Sequence, residues 1–551
     1  MTAPLIKPDG LVTYSPEEKC NLLDDIFKSK QCHDEIDLPP TCFPQVSLSS
    51  FAFRSKNVKN LLKDIDSYAG VDPNGILPIF LKNNADFFAP KLSAIFRRFI
   101  RDGCFPQFWR TANITPLPKT SSPSIHPEDY RPISITPAIS KIFERLVCNR
   151  LMKFVESNHL LPDAQFAYRK GLGTCDALLS LVSVFQNCLD KGSECVAISL
   201  DFSAAFDRVN HKALLYKLQL IGIGGPFLKI IENFVSNRVQ RVKINSSSGS
   251  FSNLISGVPQ GSVLGPILFI LFTADMFNVV QNSLVAYADD TTLFAPVDSP
   301  GDRLSVNESL NSDLHKIFEW CTFWGMKLNP KKTQTIYFSR SRTLQPAHPP
   351  LVINNETLKV SDQMRMLGVI IDSKLSFEPH IRSLASSISR KVGLLRKANK
   401  IFNSSTITKR CFFSFLLPIF ENCSPVWMSA ADCHLAILDR CLAHIKVLIP
   451  DLEINLSHRR KVASGCMLFK IINNPHHPVH HLLPDAYTPA RFTRFSSTMN
   501  SKAFLPIRSH TRQHQRSFLP SMVSFWNGLP ENVVKCKEVQ KFKCQINRVL
   551  K

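Results

Sequence analysis

The chain has 551 residues, 44% of them hydrophobic. That is more apolar material than one compact unit holds and predicts about three or four modules. Lys and Arg number 66 against 44 Asp and Glu, a formal net charge of +22, which favours a polyanionic partner, nucleic acid before an acidic membrane surface.

Residues 1–60 mix polar and apolar pieces, broken at Pro39-Pro40 and Pro44. The first ten residues lack a signal-peptide pattern. From Val58 to Asp102 helical spacing dominates, as in Leu92, Ile95, Phe96 and Phe99, and Pro106 is expected to end it. Ile114 to Ile135, rich in proline, serine and lysine, reads as loops or a hairpin. Ile139 to Val155 reads as helix. Cys195 to Leu200 is a mostly apolar run, expected to be a buried strand. Asn210 is placed to cap a helix with Leu214, Leu215 and Leu218 on its inner face. Arg238 to Ile244 alternates Val and Ile with basic residues, a strand with one wet face. The most apolar run, Val263 to Phe272, is about half the length that crosses a bilayer. Leu284 to Tyr287 and Thr291 to Phe294 flank Ala288-Asp289-Asp290, a hairpin pattern with acidic residues at the turn. Thr333 to Phe338 reads as one more strand after the lysine-rich Lys327 to Lys332.

Beyond it, Ile381, Leu384, Ile388, Val392 and Leu395 keep helical spacing, with Arg382, Arg390, Lys391, Arg396, Lys397 and Lys400 off the stripe. A further helix runs through Ile437, Leu442 and Ile445. From Asp451 to Lys551 there are 16 Lys and Arg against 5 Asp and Glu, a strongly basic tail. The 16 cysteines have no framework spacing and read as free thiols of a reducing compartment. The mixture of strands and helices points to an α+β fold.

Three carboxylates stand out. Asp201 lies just past a buried strand, and Asp289 and Asp290 lie at a hairpin turn. If those strands are neighbours, the carboxylates converge on one sheet edge, where a cation is needed to keep them ionised. Magnesium suits such a site, because it takes few protein carboxylates and completes its shell with water and substrate phosphates. Two such ions can activate an attacking hydroxyl and stabilise a leaving pyrophosphate. A lone Asp after a strand is most often an ordinary turn residue, so the combination carries the weight.

Tyr287-Ala288-Asp289-Asp290 resembles the metal-binding hairpin of reverse transcriptases. Asp201-Phe202-Ser203-Ala204-Ala205-Phe206-Asp207 resembles the preceding metal motif in the form found in non-LTR, LINE-type retrotransposons. Ser256 to Pro266, reading SGVPQGSVLGP, is similar to the nucleotide- and template-contacting loop of the same family. Asp129 to Ser134 and Leu328 to Thr333 match in order and spacing. Phe105-Pro106-Gln107-Phe108-Trp109, Ile114 to Lys119, Met366-Leu367-Gly368-Val369 and the C-terminal Trp526-Asn527-Gly528-Leu529-Pro530 extend the resemblance to jockey- and CR1-like elements over most of the chain.

The resemblance implies a right-hand polymerase: an extension at 1–90, fingers and palm at 91–350, a thumb at 351–450 and a basic, mostly helical C-terminal domain at 451–551. It implies two magnesium ions, replaceable by manganese, held by Asp201, Asp289, the weaker partner Asp290 and the Phe202 carbonyl. It implies Phe206 as the bulky residue that excludes a 2′-hydroxyl, and Lys119 and Arg131 as grips on the incoming triphosphate. Gln260 and Gly261 would line the nucleotide and template site, and Lys332 would protonate the leaving pyrophosphate. The expected partners are template RNA, a primer or target DNA end and deoxynucleotide triphosphates, with no membrane, in a cytoplasmic ribonucleoprotein or the nucleus. Oligomeric state is not legible.

The N-terminal endonuclease usual in full-length elements has no room ahead of the polymerase, so a non-catalytic, domesticated remnant that binds nucleic acid is the rival expectation. An intron maturase or telomerase-like enzyme is a second rival, disfavoured by the C-terminal motif. Cys433, His434, Cys441 and His444 are spaced as turns of a core helix. His476-His477-Pro478-Val479-His480-His481 reads as a solvated loop.

Overall fold

A computed structural model describes residues 2–32, 35–40, 44, 47–120, 123–340, 349–487 and 500–550. Two compact units interleave along the chain. The first takes Met1–Arg169, Phe202–Val280 and His315–Asn329, the second Lys170–Asp201, Gln281–Leu314 and Pro330–Lys551.

In the first unit, Thr111–Pro118 lies between Tyr130–Ile135, antiparallel, and Arg238–Ile244, parallel. Ser247–Ser248 and Ser252–Leu254 add antiparallel to Arg238–Ile244. The parallel pair demands a long crossover, and the intervening helices supply it. Along Arg238–Ile244 the buried positions are Arg238, Gln240, Val242 and Ile244, while Lys243 is exposed and Arg241 half-buried. The wet basic face is therefore real for Arg241 and Lys243 but not for Arg238. Arg238 goes inside because its guanidinium donates to Phe234 O at 2.9 Å, lies 5.1 Å from the Phe234 ring and feels the charge of buried Glu144.

The helix Pro16–Ser29 opens with proline and with Glu17 and Glu18 in its first turn, both suited to a helix start. Cys20, Leu23 and Phe27 share one face and are buried with Leu5, Ile114, Tyr130, Val242 and Ile244. Helix Ala85–Asp102 stops at Gly103 in the left-handed conformation, three residues before Pro106. The glycine, free to adopt a φ of 65°, ends it rather than the proline.

In the second unit a five-stranded sheet runs Lys359–Val360, Gln334–Phe338, Glu194–Leu200, Asp290–Val297, Ser283–Tyr287. All neighbours are antiparallel except the first pair. Every residue of Glu194–Leu200 except Ser199 is buried, as befits a central strand. Helix Thr174–Lys191 covers the sheet, with Phe185 stacked 4.3 Å from Phe338 and edge-on to Phe294. Glu194 accepts from both Arg303 Nε and Nη2, at 2.8 and 2.7 Å, and from Ser339 Oγ, a bidentate pair with its geometry held.

Helix Glu378–Phe402 buries Ile381, Ala385, Ile388, Val392 and Leu395 and exposes all six basic residues that lie off its stripe. Phe469, Trp526 and Phe542 knit the C-terminal helices together. Cys433, His434, Cys441 and His444 all ride on helix Asp432–Leu448. The histidine cluster differs from expectation. His477 is buried, and its Nε2 donates to Asp176 Oδ1 at 2.9 Å, because a carboxylate enclosed in helix Thr174–Lys191 needs donors. No helix among the described residues is long and apolar enough to cross a membrane.

Candidate active site

The acidic residues lie in the second unit. Strand pairing Thr291↔Leu200 is the last register pair between the hairpin and the central strand. One step further along the same register stand Asp290 and Asp201. Asp289 occupies the hairpin turn with Ala288, whose φ of 59° is the left-handed conformation that reverses the chain tightly. Asp289 and Asp290 are exposed and Asp201 half-buried. The register Gln334↔Ser199 on the opposite side brings Thr333 and then Lys332 to the same end of the sheet. The Asp201 backbone N–H donates to Thr333 Oγ1 at 3.2 Å, which ties the acidic residue to that strand, while Lys332 is exposed. The sheet thus brings Asp201, Asp289, Asp290 and Lys332 to one edge.

Among the described residues no three His, Cys, Asp or Glu side chains are grouped tightly enough to form a closed metal cage. The donor set at this edge fits a magnesium-type ion nonetheless. Such an ion is held by one or two carboxylates and fills its octahedron with water and substrate oxygens, unlike a structural zinc.

The nucleotide loop lies in the first unit. After Asp201 the chain turns through Phe202, which bridges Leu328, and Ser203, whose N–H donates to Lys327 O at 2.8 Å. The loop from Ser256 to Gly261 is clamped to the next stretch of that turn, Phe206 to Val209. Val258 N–H donates to Phe206 O at 2.9 Å and Gly257 N–H to Val209 O at 2.8 Å. Ser256 Oγ donates to Asp207 O at 2.8 Å. Gly257 is required here, for its φ is +89° and a Cβ would stand 2.8 Å from Asp207 Cα. Gly261 has φ +100°, and a Cβ there would be 2.7 Å from Ser134 O. On that side Ser134 N–H donates to Gln260 O at 2.7 Å, locking the loop to the strand that carries Arg131. Arg131 pairs in register with Leu117. Lys119, just past that strand's end, donates through Nζ to Glu128 O at 2.7 Å. Phe206 is half-buried with its ring stacked 4.3 Å from Phe269 at 19°. The structure therefore brings Phe206, Gln260, Gly261, Arg131 and Lys119 onto connected segments of one unit.

Two residues to which the motifs assign no role are central. Asp207 accepts from Gln260 Nε2 at 2.9 Å. Burial pushes its carboxyl up to about 6, opposed by that hydrogen bond and by the charges of Lys30 and Lys119. Its place inside the Asp201–Asp207 motif was the only signal. Glu144, fully buried, accepts from Val263 N–H at 2.7 Å, Leu264 N–H at 3.3 Å and Ser140 Oγ at 2.9 Å. It holds the start of helix Gly265–Phe272, and burial raises its pKa. Nothing in the sequence pairs a glutamate with a loop 119 residues away.

Residues 117–371 match the family described as reverse transcriptase (RNA-dependent DNA polymerase). A probable RNA-directed DNA polymerase from transposon BS of Drosophila melanogaster is 30% identical over 447 residues, covering 77% of this chain and 48% of the relative. The RNA-directed DNA polymerase from mobile element jockey of the same fly is 27% identical over 434 residues, covering 77% of this chain and 45% of the relative. Its Drosophila funebris counterpart is 32% identical over 324 residues, covering 56% and 34%. The chain spans less than half the length of each of these curated relatives. Over residues 117–371 the chain is thus similar to reverse transcriptases, and its relatives include RNA-directed DNA polymerases of the mobile elements jockey, BS and X-element.

Proposed function

We propose that the chain is an RNA-directed DNA polymerase that extends a DNA 3′ end on an RNA template from deoxynucleotide triphosphates. The observation that supports this most is the register that sets Asp201 and Asp290 at one sheet edge beside the Asp289 turn. Two divalent cations, magnesium with manganese as substitute, would lower the pKa of the attacking hydroxyl and neutralise charge on the leaving pyrophosphate. Asp201 and Asp289 would be their main ligands, with Asp290 and the Phe202 carbonyl assisting. Arg131 and Lys119 would grip the triphosphate by charge-assisted hydrogen bonds. Gln260 and Gly261 would line the nucleotide and template site, and Phe206 would deny space to a 2′-hydroxyl. Lys332, exposed at the acidic edge, would deliver a proton to the leaving group. Residues 351–450, with the basic helix, would follow the template–primer duplex as a thumb. The basic segment 451–551 would hold RNA through salt-sensitive phosphate contacts. Such a protein would work as a ribonucleoprotein in the cytoplasm or the nucleus.

The test is primer extension on poly(rA)/oligo(dT) with magnesium, beside Asp289→Ala. DNA synthesis by the wild type that vanishes in the variant supports the reading. Folded wild-type protein that binds the duplex and makes no DNA would instead favour a non-catalytic nucleic-acid-binding role.

A further inference from the structure

The segment that leaves helix Pro16–Ser29 runs directly against the nucleotide loop, all within the first unit. Gln31 Oε1 accepts from Ile255 N–H at 3.1 Å. Cys32 N–H donates to Ser256 Oγ at 2.8 Å, and Ser256 Oγ passes the chain of bonds on to Asp207 O. Asp207 in turn holds Gln260. Phe27 and Gln31 line a small cavity of about 20 Å³ together with Asp207, Gln260 and Ser134. Gln31 is only 5% exposed, and its Nε2 has no hydrogen-bond partner among the described residues. A buried donor without a partner is costly and points to a polar guest.

Lys30 does not itself line the cavity but adjoins Gln31, which does. The Lys30 Nζ stands 5.0 Å above the ring of Phe27, a residue that does line the cavity, and the side chain is half-buried. The ammonium feels Lys119, Asp207 and Glu128, and burial lowers its proton affinity, with Lys119 adding to that effect. The two lysine charges oppose one another, and a polyanion beside both would remove that cost.

We propose that Lys30, delivered by the N-terminal helix, is a third cation of the nucleotide-binding surface and contacts the triphosphate of the incoming nucleotide together with Lys119. This rests on the polymerase reading above. It gives the N-terminal segment a part in substrate binding, with Gln31 as a positioning residue that fixes the loop. Template phosphate is the competing ligand, and a purely structural counter-ion to Asp207 and Glu128 is the competing role.

The experiment compares full-length wild type, Lys30→Gln and Lys30→Arg. KM for dTTP and kcat are measured on poly(rA)/oligo(dT), with duplex affinity and melting temperature alongside. Lys30→Gln is expected to raise KM for dTTP about tenfold, with kcat and duplex affinity within about twofold, and Lys30→Arg to restore most of the loss. An unchanged KM, a loss of duplex affinity instead, or a fall in melting temperature that Arg does not rescue overturns the assignment. Calorimetric binding of tripolyphosphate to the same three proteins separates the two readings. If the wild type makes no DNA but its tripolyphosphate binding weakens in Lys30→Gln, the polymerase reading fails and the anion site stands. Tripolyphosphate binding indifferent to Lys30 overturns the inference whether or not the wild type polymerises.

Discussion

Gln260 donates its side-chain amide to Asp207 Oδ1 at 2.9 Å, so the glutamine of the nucleotide loop is oriented by a carboxylate 53 residues earlier. Burial pushes that carboxyl up to about 6, above its ordinary 3.8. A folded-state pKa above the unfolded value means that the folded chain holds the proton more tightly. The associated stability is full below about pH 4 and is lost as pH rises through about 6. Asp207→Asn should therefore flatten the change in melting temperature between those two pH values. Wild-type and variant curves that run parallel through the window would refute the assignment.

Phe206 presents one ring face to Phe269 at 4.3 Å, which holds the side chain in place. Phe206→Val removes that bulk and the stacking, worth about 1 kcal/mol of stability. The ratio of kcat/KM for ribonucleotide to that for deoxynucleotide should rise at least about tenfold, since a removed steric block is worth more than about 1.4 kcal/mol. An unchanged ratio excludes Phe206 as the discriminating residue.

Gly257 and Gly171 both have positive φ, at +89° and +82°, but only Gly257 lies against other backbone. Gly171→Ala meets nothing within 4 Å and should cost only the conformational penalty, about 1 kcal/mol. Gly257→Ala adds a clash with Asp207 backbone and should cost about 3 kcal/mol. It should also raise KM for the nucleotide, because Asp207 carries Gln260. Denaturant midpoints of the two variants decide it, and equal costs would show that the loop relaxes freely.

Asp176 is buried and accepts from Lys470 Nζ at 2.6 Å, His477 Nε2 at 2.9 Å and Gly173 N–H at 2.8 Å. Asp176→Ala deprives all three donors of their acceptor, the buried His477 among them, and should destabilise by about 3–5 kcal/mol. Burial alone would raise this carboxyl's pKa, but the hydrogen bonds from His477 and Lys470 outweigh it and bring it below 3.8. The stability it contributes is present above its unfolded pKa and is lost as pH falls below that value. In a double-mutant cycle, Lys470→Ala on top of Asp176→Ala should cost less than Lys470→Ala alone. Strict additivity would show that the pair does not couple.

Much of the candidate site was legible because it rests on local pattern. Two short β-type runs, Leu284 to Tyr287 and Thr291 to Phe294, flanking Ala288-Asp289-Asp290 read as an acidic hairpin, and the hairpin is there. The capping role of Asn210 was also local, and its side chain accepts from Ala213 N–H at 3.0 Å. The features that were missed depend on partners far away in the chain. Arg238 looks like a surface residue of an alternating strand, yet Glu144 and the Phe234 carbonyl and ring make an interior place for it. His477 looks like part of a wet histidine run, yet Asp176, 301 residues earlier, draws it inside.

The sequence by itself determined which residues could do chemistry and in what order the strands and turns that carry them occur. Alternation, turn chemistry and charge act over a few residues and survive without a fold. Only the tertiary structure decided that Thr291 pairs with Leu200, so that Asp290 and Asp201 share an edge. It alone seated the helix Pro16–Ser29 beneath the first sheet and brought Gln31 and Cys32 to the nucleotide loop. The physical reason is that burial of Cys20, Leu23 and Phe27 is non-directional. An amphipathic helix advertises that it will be buried, but which apolar surface receives it depends on every other element that competes for the same core.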